Sequence, residues 1–420
     1  MIERSQGFKD FAARFVKRFW PDLVICALLA ASVGWASYHF SGQLAQRLNE
    51  DDVWFDSDPR RVFREMSGAG KTHDRTQVHP LFILFSQPIV ASLHAGTSLS
   101  LLQAARLLNA LWAGGWLILV FCFLRTLGCR RWDATLFTIL AVVSASAMFW
   151  LSVLETYLLG SISILVALIS AGVVSRWKRP ALWMAVVSAC TLSITVTNWM
   201  AGLFATAVSF PIKRALLVTG SAFCIVLMSW GLQKFAYPSC KFFLGNWTEG
   251  QFINHPVAGG PIPSMRAFIF HTVVMPNVSW KNVPEYRVPY LSVQSGSLSS
   301  GSSLQIASRA AWVFLLGTGV WGLFSFNGQL ELRIVLGGTL AGQMALHSIY
   351  GLETFMYSLN WLPLLIALAA LGTLTRLRLA VLTITTVLIV TAAANNVSQF
   401  SIAMKSLSER RALKASVPGE

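Results

Sequence analysis

Apolar runs of about 18 residues or more recur along most of the chain, and no other feature constrains its fold as strongly. A run of that length crosses a bilayer as a helix, because only an internal hydrogen-bond ladder satisfies its backbone in hydrocarbon. Just 12% of the 420 residues are charged and mean hydropathy is +0.58, where soluble domains carry about 25% charged residues. Length therefore does not translate into two or three soluble domains. The net charge of +15 is no nucleic-acid signature, since many Lys and Arg fall in short clusters between apolar runs, the pattern that orients membrane proteins. The six cysteines show no paired spacing, so neither a disulfide framework nor a zinc site follows. No small-residue cleavage site follows the first apolar run, which reads as a retained span.

The expected fold is all-α, a polytopic transmembrane helical bundle of about eleven spans. Residues 1–19 read as a basic amphipathic helix on the inner leaflet, with Phe8, Phe11, Phe15 and Phe19 at helical spacing. An N-terminal membrane module covers 20–233 and includes an outer loop at 41–98. Its spans fall at about 20–40, 99–124, two within 134–175, then 181–197, 199–211 and 215–233. A long outer loop occupies 234–308, where SVQSGSLSSGSS at 292–303 reads as a flexible lid or linker. The C-terminal module, 309–397, adds four spans, and 398–420 is a tail on the outer side. Arg125, Arg130, Arg131, Arg376 and Arg378 mark inner ends.

Between the first two spans lies a polar stretch, 51–88, with Asp51, Asp52, Asp56, Asp58, Arg60, Arg61, Arg64, Arg75 and His79. A chain this apolar gathers ionisable groups where it has a site, here at the outer face. Asp58 followed by Pro59 predicts a short helix over 58–66, with Asp58 as N-cap and proline at the first helical position. An aspartate beside arginines stays ionised and suits a general base; a helix cap in a solvated loop explains Asp58 equally, and Asp51 and Asp52 read better as solvated. Arg75 and His79, in RTQVHP, are donors for a phosphate leaving group or for ordinary headgroups. Residues 79–94, broken by Pro88, are too short to span and read as re-entrant or interfacial. Arg106 lies inside a span, where a central arginine costs roughly 2.5–3.5 kcal/mol, so it must face the bundle, a partner or water. Glu155 and Glu353 share the string LET plus an aromatic, each at a tight outer turn. His347, Tyr350, Tyr357, Asn360 and Trp361 surround Glu353 with sugar-contacting residue types. SGAGKT at 67–72 falls short of a phosphate-binding loop, since Glu65 stands where glycine is required. His255, His271 and Arg266, without metal-ligand spacing, read as solvated loop residues.

A first span, an outer acidic segment FDSDPRRVF, the string HPLF at 79–82 and a later ETFMYSLNWLPLL together resemble the GT-C superfamily of membrane glycosyltransferases. That group includes protein O-mannosyltransferases, aminoarabinose transferases and oligosaccharyltransferase catalytic subunits. The resemblance implies transfer of a sugar, with inversion, from a polyprenyl-phosphate donor to an outer-face acceptor glycan, lipid or polymer. Asp58 then matches the first-loop catalytic aspartate, with Asp56 its competitor. On this reading Arg75, His79 and Arg106 meet the donor phosphate, and Glu155, Glu353, Tyr357 and Asn360 contact substrate. Pro59 stands where the mannosyltransferases carry a second acidic residue, and a large soluble C-terminal domain is lacking. Both departures leave the sugar and acceptor open and weaken the argument for a metal; no cofactor is implied firmly and a divalent metal stays open. The expected location is a bacterial cytoplasmic membrane, with the site facing outward, membrane lipids around it and no nucleic-acid partner. Two alternatives remain: an O-antigen ligase or polymerase type with its chemistry in 234–308, and a transporter or flippase of lipid-linked sugars, which would favour polar groups at mid-membrane and broken helices.

Overall fold

The computed structural model describes residues 2–47, 52–68, 72–174, 180–245, 247–283, 288–297, 301–325 and 328–416. The described chain is almost wholly helical. Helix α1 (Ile2–Arg47) leads through a tight loop to α2 (Pro59–Ser67), then to α3 (Phe82–Gly96) and α4 (Leu101–Thr126). Shorter helices follow: α5 (Arg131–Val143), α6 (Ala145–Trp150), α7 (Tyr157–Val173), α8 (Pro180–Ile194) and α9 (Trp199–Ser209). After α10 (Ile212–Ala236) the long loop holds α11 (Pro261–Arg266) and an antiparallel ribbon, β1 (Ser279–Lys281) against β2 (Tyr290–Ser292). Helices α12 (Ser303–Ser325), α13 (Leu330–His347), α14 (Leu362–Ala370) and α15 (Arg378–Ser416) complete the bundle.

Among the described residues, five helical stretches are long and apolar enough to cross a membrane: Trp20–Ala45, Leu101–Thr126, Ile212–Ala236, Ser303–Ser325 and Arg378–Ala412. The pair Thr354–Asn360 and Leu362–Leu374 is long and apolar enough only when taken together, and it turns by 60° at its break, as a broken span or a re-entrant segment does. These mark the chain as an integral membrane protein. Of the eleven spans expected from the sequence, five, or six with the bent pair, have the length and composition of a full crossing among the described residues. Backbone breaks subdivide the apolar sequence, first at Ser144, whose extended conformation separates α5 from α6. Helix α7 has 17 residues, α8 has 15 and α9 has 11, against the roughly 20 that cross the hydrocarbon unaided. Their apolar faces pack on other helices, and many of their residues are fully buried.

Ion pairs fix one end of the bundle. Asp22 on α1 receives Arg125 at 3.2 Å and also Arg131. Asp133, 1% exposed, accepts from Arg378 Nη2 at 2.6 Å and Nε at 2.9 Å. The polar stretch closes the other end. The helix of α15 runs unbroken into the expected tail, and Arg410 donates to the Pro289 carbonyl while its guanidinium lies 4.9 Å over the Trp280 ring. The tail therefore shares an end with the long loop. That loop is more than a mobile linker: Ser292, Val293 and Gln294 are buried, and so is His271. Residues 298–300 of the Ser/Gly-rich run lie outside the described residues, as do Asp51, the loop at 69–71, the basic cluster at 175–179 and the side chains of 1–19.

Close approach of α12 to the bent pair depends on glycine. A Cβ at Gly319 would lie 2.2 Å from the Leu368 carbonyl oxygen and 2.8 Å from the Ala369 Cα, whereas one at Gly317 meets nothing within 4 Å. Gly319→Ala is expected to lower thermal stability by about 1–3 kcal/mol or more. Gly317→Ala should be neutral or stabilising by up to about 1 kcal/mol. Equal unfolding temperatures for the two variants in detergent would refute this account of the α12 contact.

Candidate active site

The first polar loop is built by burying its middle. Trp54 and Phe55 are fully buried and pack with Phe149, Phe355 and Phe400, at centroid separations of 5.6 Å for Trp54–Phe149 and 5.3 Å for Phe55–Phe355. Pulling two adjacent aromatics inward folds the backbone sharply. Asp52, Phe55 and Asp56 take φ of 70°, 52° and 65°, three of the five non-glycine residues with positive φ among the described residues. Such conformations cost of order 1 kcal/mol or more each. Internal hydrogen bonds hold the loop: Asp52 N to Ser57 O at 2.8 Å, Asp56 N to Asp52 O at 2.9 Å and the Ser57 hydroxyl to Trp54 O at 2.6 Å. The flanking aspartates are thereby turned toward a cavity.

Helix α2 then begins at Pro59, with Asp58 in the N-cap position and proline at the start, as the sequence indicates. Asp58 makes no side-chain cap bond. Its carboxylate instead accepts from Arg75 Nη1 at 2.7 Å and pairs with Arg61. Arg75 Nη2 donates to Glu155 Oε2 at 3.2 Å. Glu155 accepts the Asp58 backbone N–H at 2.7 Å and the Thr156 N–H at 3.0 Å. Its carboxylate thus faces N–H donors and is 3% exposed, so Glu155 orients Asp58 and Arg75 from behind.

A third carboxyl belongs here that sequence reasoning used only to reject a phosphate-binding loop. Glu65 stands seven residues after Asp58, two helical turns on, which places both on one face of α2. It is buried, and burial pushes its carboxyl up to about 7, with Arg75 pulling the other way. The signal in the sequence was that spacing.

His79 is also buried. Its Nδ1 lies 2.8 Å from the Ile194 carbonyl and 3.1 Å from the Thr195 hydroxyl. A carbonyl only accepts, so Nδ1 carries the hydrogen. Nε2 is left as the acceptor, 3.1 Å from the Thr156 hydroxyl and 3.4 Å from Arg75 Nη2. Burial and then the Arg75 charge lower its pKa to about 3, so the ring is neutral at neutral pH. Arg75 and His79, expected to meet a donor phosphate, line the cavity and also bind protein acceptors, Arg75 through its two terminal nitrogens and His79 through Nδ1.

A cavity of about 580 Å³ opens against this cluster, lined by Asp56, Asp58, Arg61, Arg75 and His79 from the first loop. Tyr157, Thr195, His347, Tyr350, Tyr357 and Asn360 form the bundle side. Tyr357 stacks on His347 at 4.6 Å and meets Tyr157 edge-on at 5.5 Å. The long loop adds Glu249, Gln251, Phe252 and His255. This segment is docked: Asn254 N donates to Ile349 O at 2.6 Å, Gly351 N to Phe252 O at 3.1 Å, and the Tyr350 hydroxyl to Glu249. His255 and Glu249 are therefore wall residues rather than solvated loop, and composition gave no sign of it.

Of the expected site residues, Asp56, Asp58, Arg75, His79, Tyr357 and Asn360 line the cavity and Glu155 backs it. Two stand apart. Arg106 donates to the Tyr38 carbonyl at 2.7 Å and the Ser41 hydroxyl at 3.0 Å, with its guanidinium 4.5 Å over the Tyr38 ring. It faces the end of α1 rather than the cavity. Glu353, wholly buried, accepts from the Ser292 hydroxyl, while Gln294 Oε1 accepts the Thr354 N–H at 2.9 Å. Together these bonds pin the long loop to the cavity wall.

Among the described residues no three His, Cys, Asp or Glu side chains converge as a metal site would require. No protein-family model, curated protein or solved structure matches the chain.

The Glu65 environment has a consequence for stability. A carboxyl whose folded pKa is raised stabilises the fold below its unfolded pKa and loses that contribution as pH climbs through the folded value. Glu65→Gln removes the titration. The stability of the variant relative to the natural chain should therefore rise between about pH 4.5 and pH 8, by at most about 3 kcal/mol at 1.36 kcal/mol per pKa unit. Parallel melting curves for the two proteins across that window would show that Glu65 titrates as it does in the unfolded chain.

Proposed function

We propose that the chain is a membrane glycosyltransferase of GT-C type, moving one sugar from a polyprenyl-phosphate donor to an acceptor hydroxyl. The observation that carries this reading is the placement of Asp58. Its carboxylate is held by Arg75 and Arg61 on the wall of a polar and aromatic cavity at one end of an apolar bundle. At about 580 Å³ the cavity falls in the range of roughly 300–1,000 Å³ that takes small-molecule ligands. Hydroxyl, amide and aromatic groups predominate on the bundle side, the set that suits a sugar's alternating polar edges and apolar faces.

In the reaction, the acceptor oxygen attacks the anomeric carbon while its proton passes to the Asp58 carboxylate. The bond from that carbon to the phosphate oxygen breaks, and the polyprenyl phosphate leaves with the electron pair. Attack opposite the leaving group inverts the centre. Glu155, through the Asp58 backbone N–H, and Arg75, through the Asp58 carboxylate, hold Asp58 in place through the approach. The leaving phosphate needs a cation, and Arg61 is suited to that role: it is half exposed, beside Asp58 and on the cavity wall. On this reading the cavity faces outward in a bacterial cytoplasmic membrane.

The test is turnover by purified protein of a radiolabelled polyprenyl-phosphate sugar, followed as release of polyprenyl phosphate. Asp58→Asn should lose roughly 10²–10⁴-fold in kcat, the range for removing a general base, while retaining donor binding. Asp56→Asn is a mild change to the backbone, because asparagine tolerates the left-handed conformation of that position. It should leave turnover within a few-fold. The reverse pattern would move the base to Asp56. Full activity in both variants would remove the base from this loop. Passage of the lipid-linked sugar across proteoliposomes unchanged would make the chain a transporter instead.

A further inference from the structure

A second cavity, of about 240 Å³, lies against the start of α2. Pro59 and Leu154 line it. They adjoin Asp58, which lines the larger cavity, and Glu155, which backs that cavity. The start of α2 and the turn before α7 therefore form the wall between the two.

Two spans set its depth in the bundle. Leu44 and Ala45 line it from α1, at the very end of the apolar stretch Trp20–Ala45. Leu102 lines it from α4, just inside the start of Leu101–Thr126. The cavity thus sits where apolar sequence gives way to polar sequence, the level of the lipid headgroups. Both helices also present large apolar side chains outward within their spans, with Trp35 70% and Leu111 60% exposed.

The lining is graded from apolar to cationic. Phe63, Leu102 and Leu154 belong to one apolar cluster with Val62 of α2 and Val90 of α3. Arg60 is the one charged residue of the lining, and it is exposed. Helix α2 extends that charge, since Arg61 and Arg64 are exposed as well, while its one carboxyl, Glu65, is buried.

We propose that this cavity binds an anionic phospholipid, with the headgroup phosphate on Arg60 and the upper part of one acyl chain against Leu44, Phe63 and Leu102. Volume decides between a whole ligand and part of one. At about 240 Å³ the cavity falls below the roughly 300–1,000 Å³ that encloses a small molecule, so it takes a piece of a larger amphiphile. A phosphodiester joined to a hydrocarbon chain matches both ends of the lining. The guanidinium gives charge-assisted hydrogen bonds to phosphate oxygens, and the apolar wall takes methylenes out of water. A net negative headgroup is favoured over a zwitterionic one, because α2 presents arginines and no exposed carboxylate to the surface. The bound lipid touches the residues next to Asp58 and Glu155, so it braces the wall that carries them. Its binding is independent of the reaction proposed above.

The test uses the full chain in phosphatidylcholine nanodiscs doped with a phosphatidylglycerol whose acyl chain carries a diazirine near the headgroup. After illumination, mass spectrometry should find more lipid on peptides holding Leu44, Phe63 or Leu102 than on those holding Trp35 or Leu111, which report ordinary lipid contact. Unlabelled phosphatidylglycerol should compete at the cavity, and polyprenyl phosphate at the same concentration should not. Arg60→Ala should weaken apparent affinity about fivefold, the effect of one basic residue near an anionic surface, and Arg60→Lys should recover part of it. Leu102→Trp fills the cavity from its wall. It should remove labelling at Leu44 and Phe63 and leave that at Trp35 unchanged, which also reports that the variant is folded. Labelling no greater at the cavity than at Trp35 and Leu111 would overturn the site on the natural chain alone. Equal labelling by the same probe built on phosphatidylcholine would overturn the anionic headgroup, and displacement by polyprenyl phosphate in preference to phosphatidylglycerol would overturn the phospholipid.

Discussion

The guanidinium of Arg75 joins two carboxylates from distant parts of the chain. One nitrogen reaches Asp58 at the head of α2, and the other reaches Glu155 in the break between α6 and α7, with His79 also within reach. Without Arg75, two carboxylates would stand close together in a nearly dry corner, and at least one would have to take a proton. Removing one partner from such a buried pair leaves a charge uncompensated, which is far more damaging than losing a surface ion pair. The same economy limits what Arg75 does for a ligand. Its terminal nitrogens are committed to protein acceptors, whereas Arg61, on the other side of the same carboxylate, is half exposed.

Asp58 is fixed a second way, from below. The sequence DDVWFDSD alternates between aspartates and a pair of large aromatics, and only one arrangement serves both. Trp54 and Phe55 enter the aromatic core with Phe149, Phe355 and Phe400, and the Trp54 indole N–H meets the Phe149 carbonyl at 3.4 Å. The strain of three left-handed residues is offset by that burial, since each large aromatic side chain contributes roughly 1.5–3 kcal/mol on leaving water. The carboxylates on either side are then carried to the cavity by backbone geometry rather than by their own contacts. The loop also hands its Val53 carbonyl to Leu291 N at 2.9 Å, so the strand pair of the long loop is seated on the same foundation.

Much of this was legible beforehand, and the failures have physical causes. Asp58 before Pro59 announces a helix start, and α2 begins there. Asn198 and Glu155 mark breaks in apolar sequence, and both fall between helices. Periodicity and composition report whether a segment is apolar, but not whether lipid or protein covers it, so they do not fix the number of spans. A charge in an apolar run says that a partner exists without saying where. Arg106 found the carbonyl of Tyr38 on α1 instead of the cavity. The long loop misled for a related reason. Pro, Gly and Ser exclude regular structure, yet they do not exclude burial, and Ser292, Gln294 and His271 are as enclosed as any core residue. Glu353 was read as a substrate contact from its neighbours; it lies outside the cavity lining and receives the Ser292 hydroxyl.

The shortness of α7, α8 and α9 and the existence of the polar cluster are two sides of one fact. A helix that crosses a bilayer completely keeps its last carbonyls at the surface, where water satisfies them. Helices that stop short leave those carbonyls inside the protein, and side chains must come to them. Ile194 is the last residue of α8, and its carbonyl takes the His79 N–H; the carbonyl beside it, Ser193, takes the Leu81 N–H at 2.8 Å. Leu151, just past α6, receives both Ser37 at 2.6 Å and Asn109 at 2.8 Å. Polar side chains therefore converge at the depth where α6 and α8 end and α7 and α9 begin. Had α5 through α9 formed uninterrupted spans, those acceptors would have been consumed within the helices, and neither His79 nor the loop that carries Asp58 would have had anything to bind.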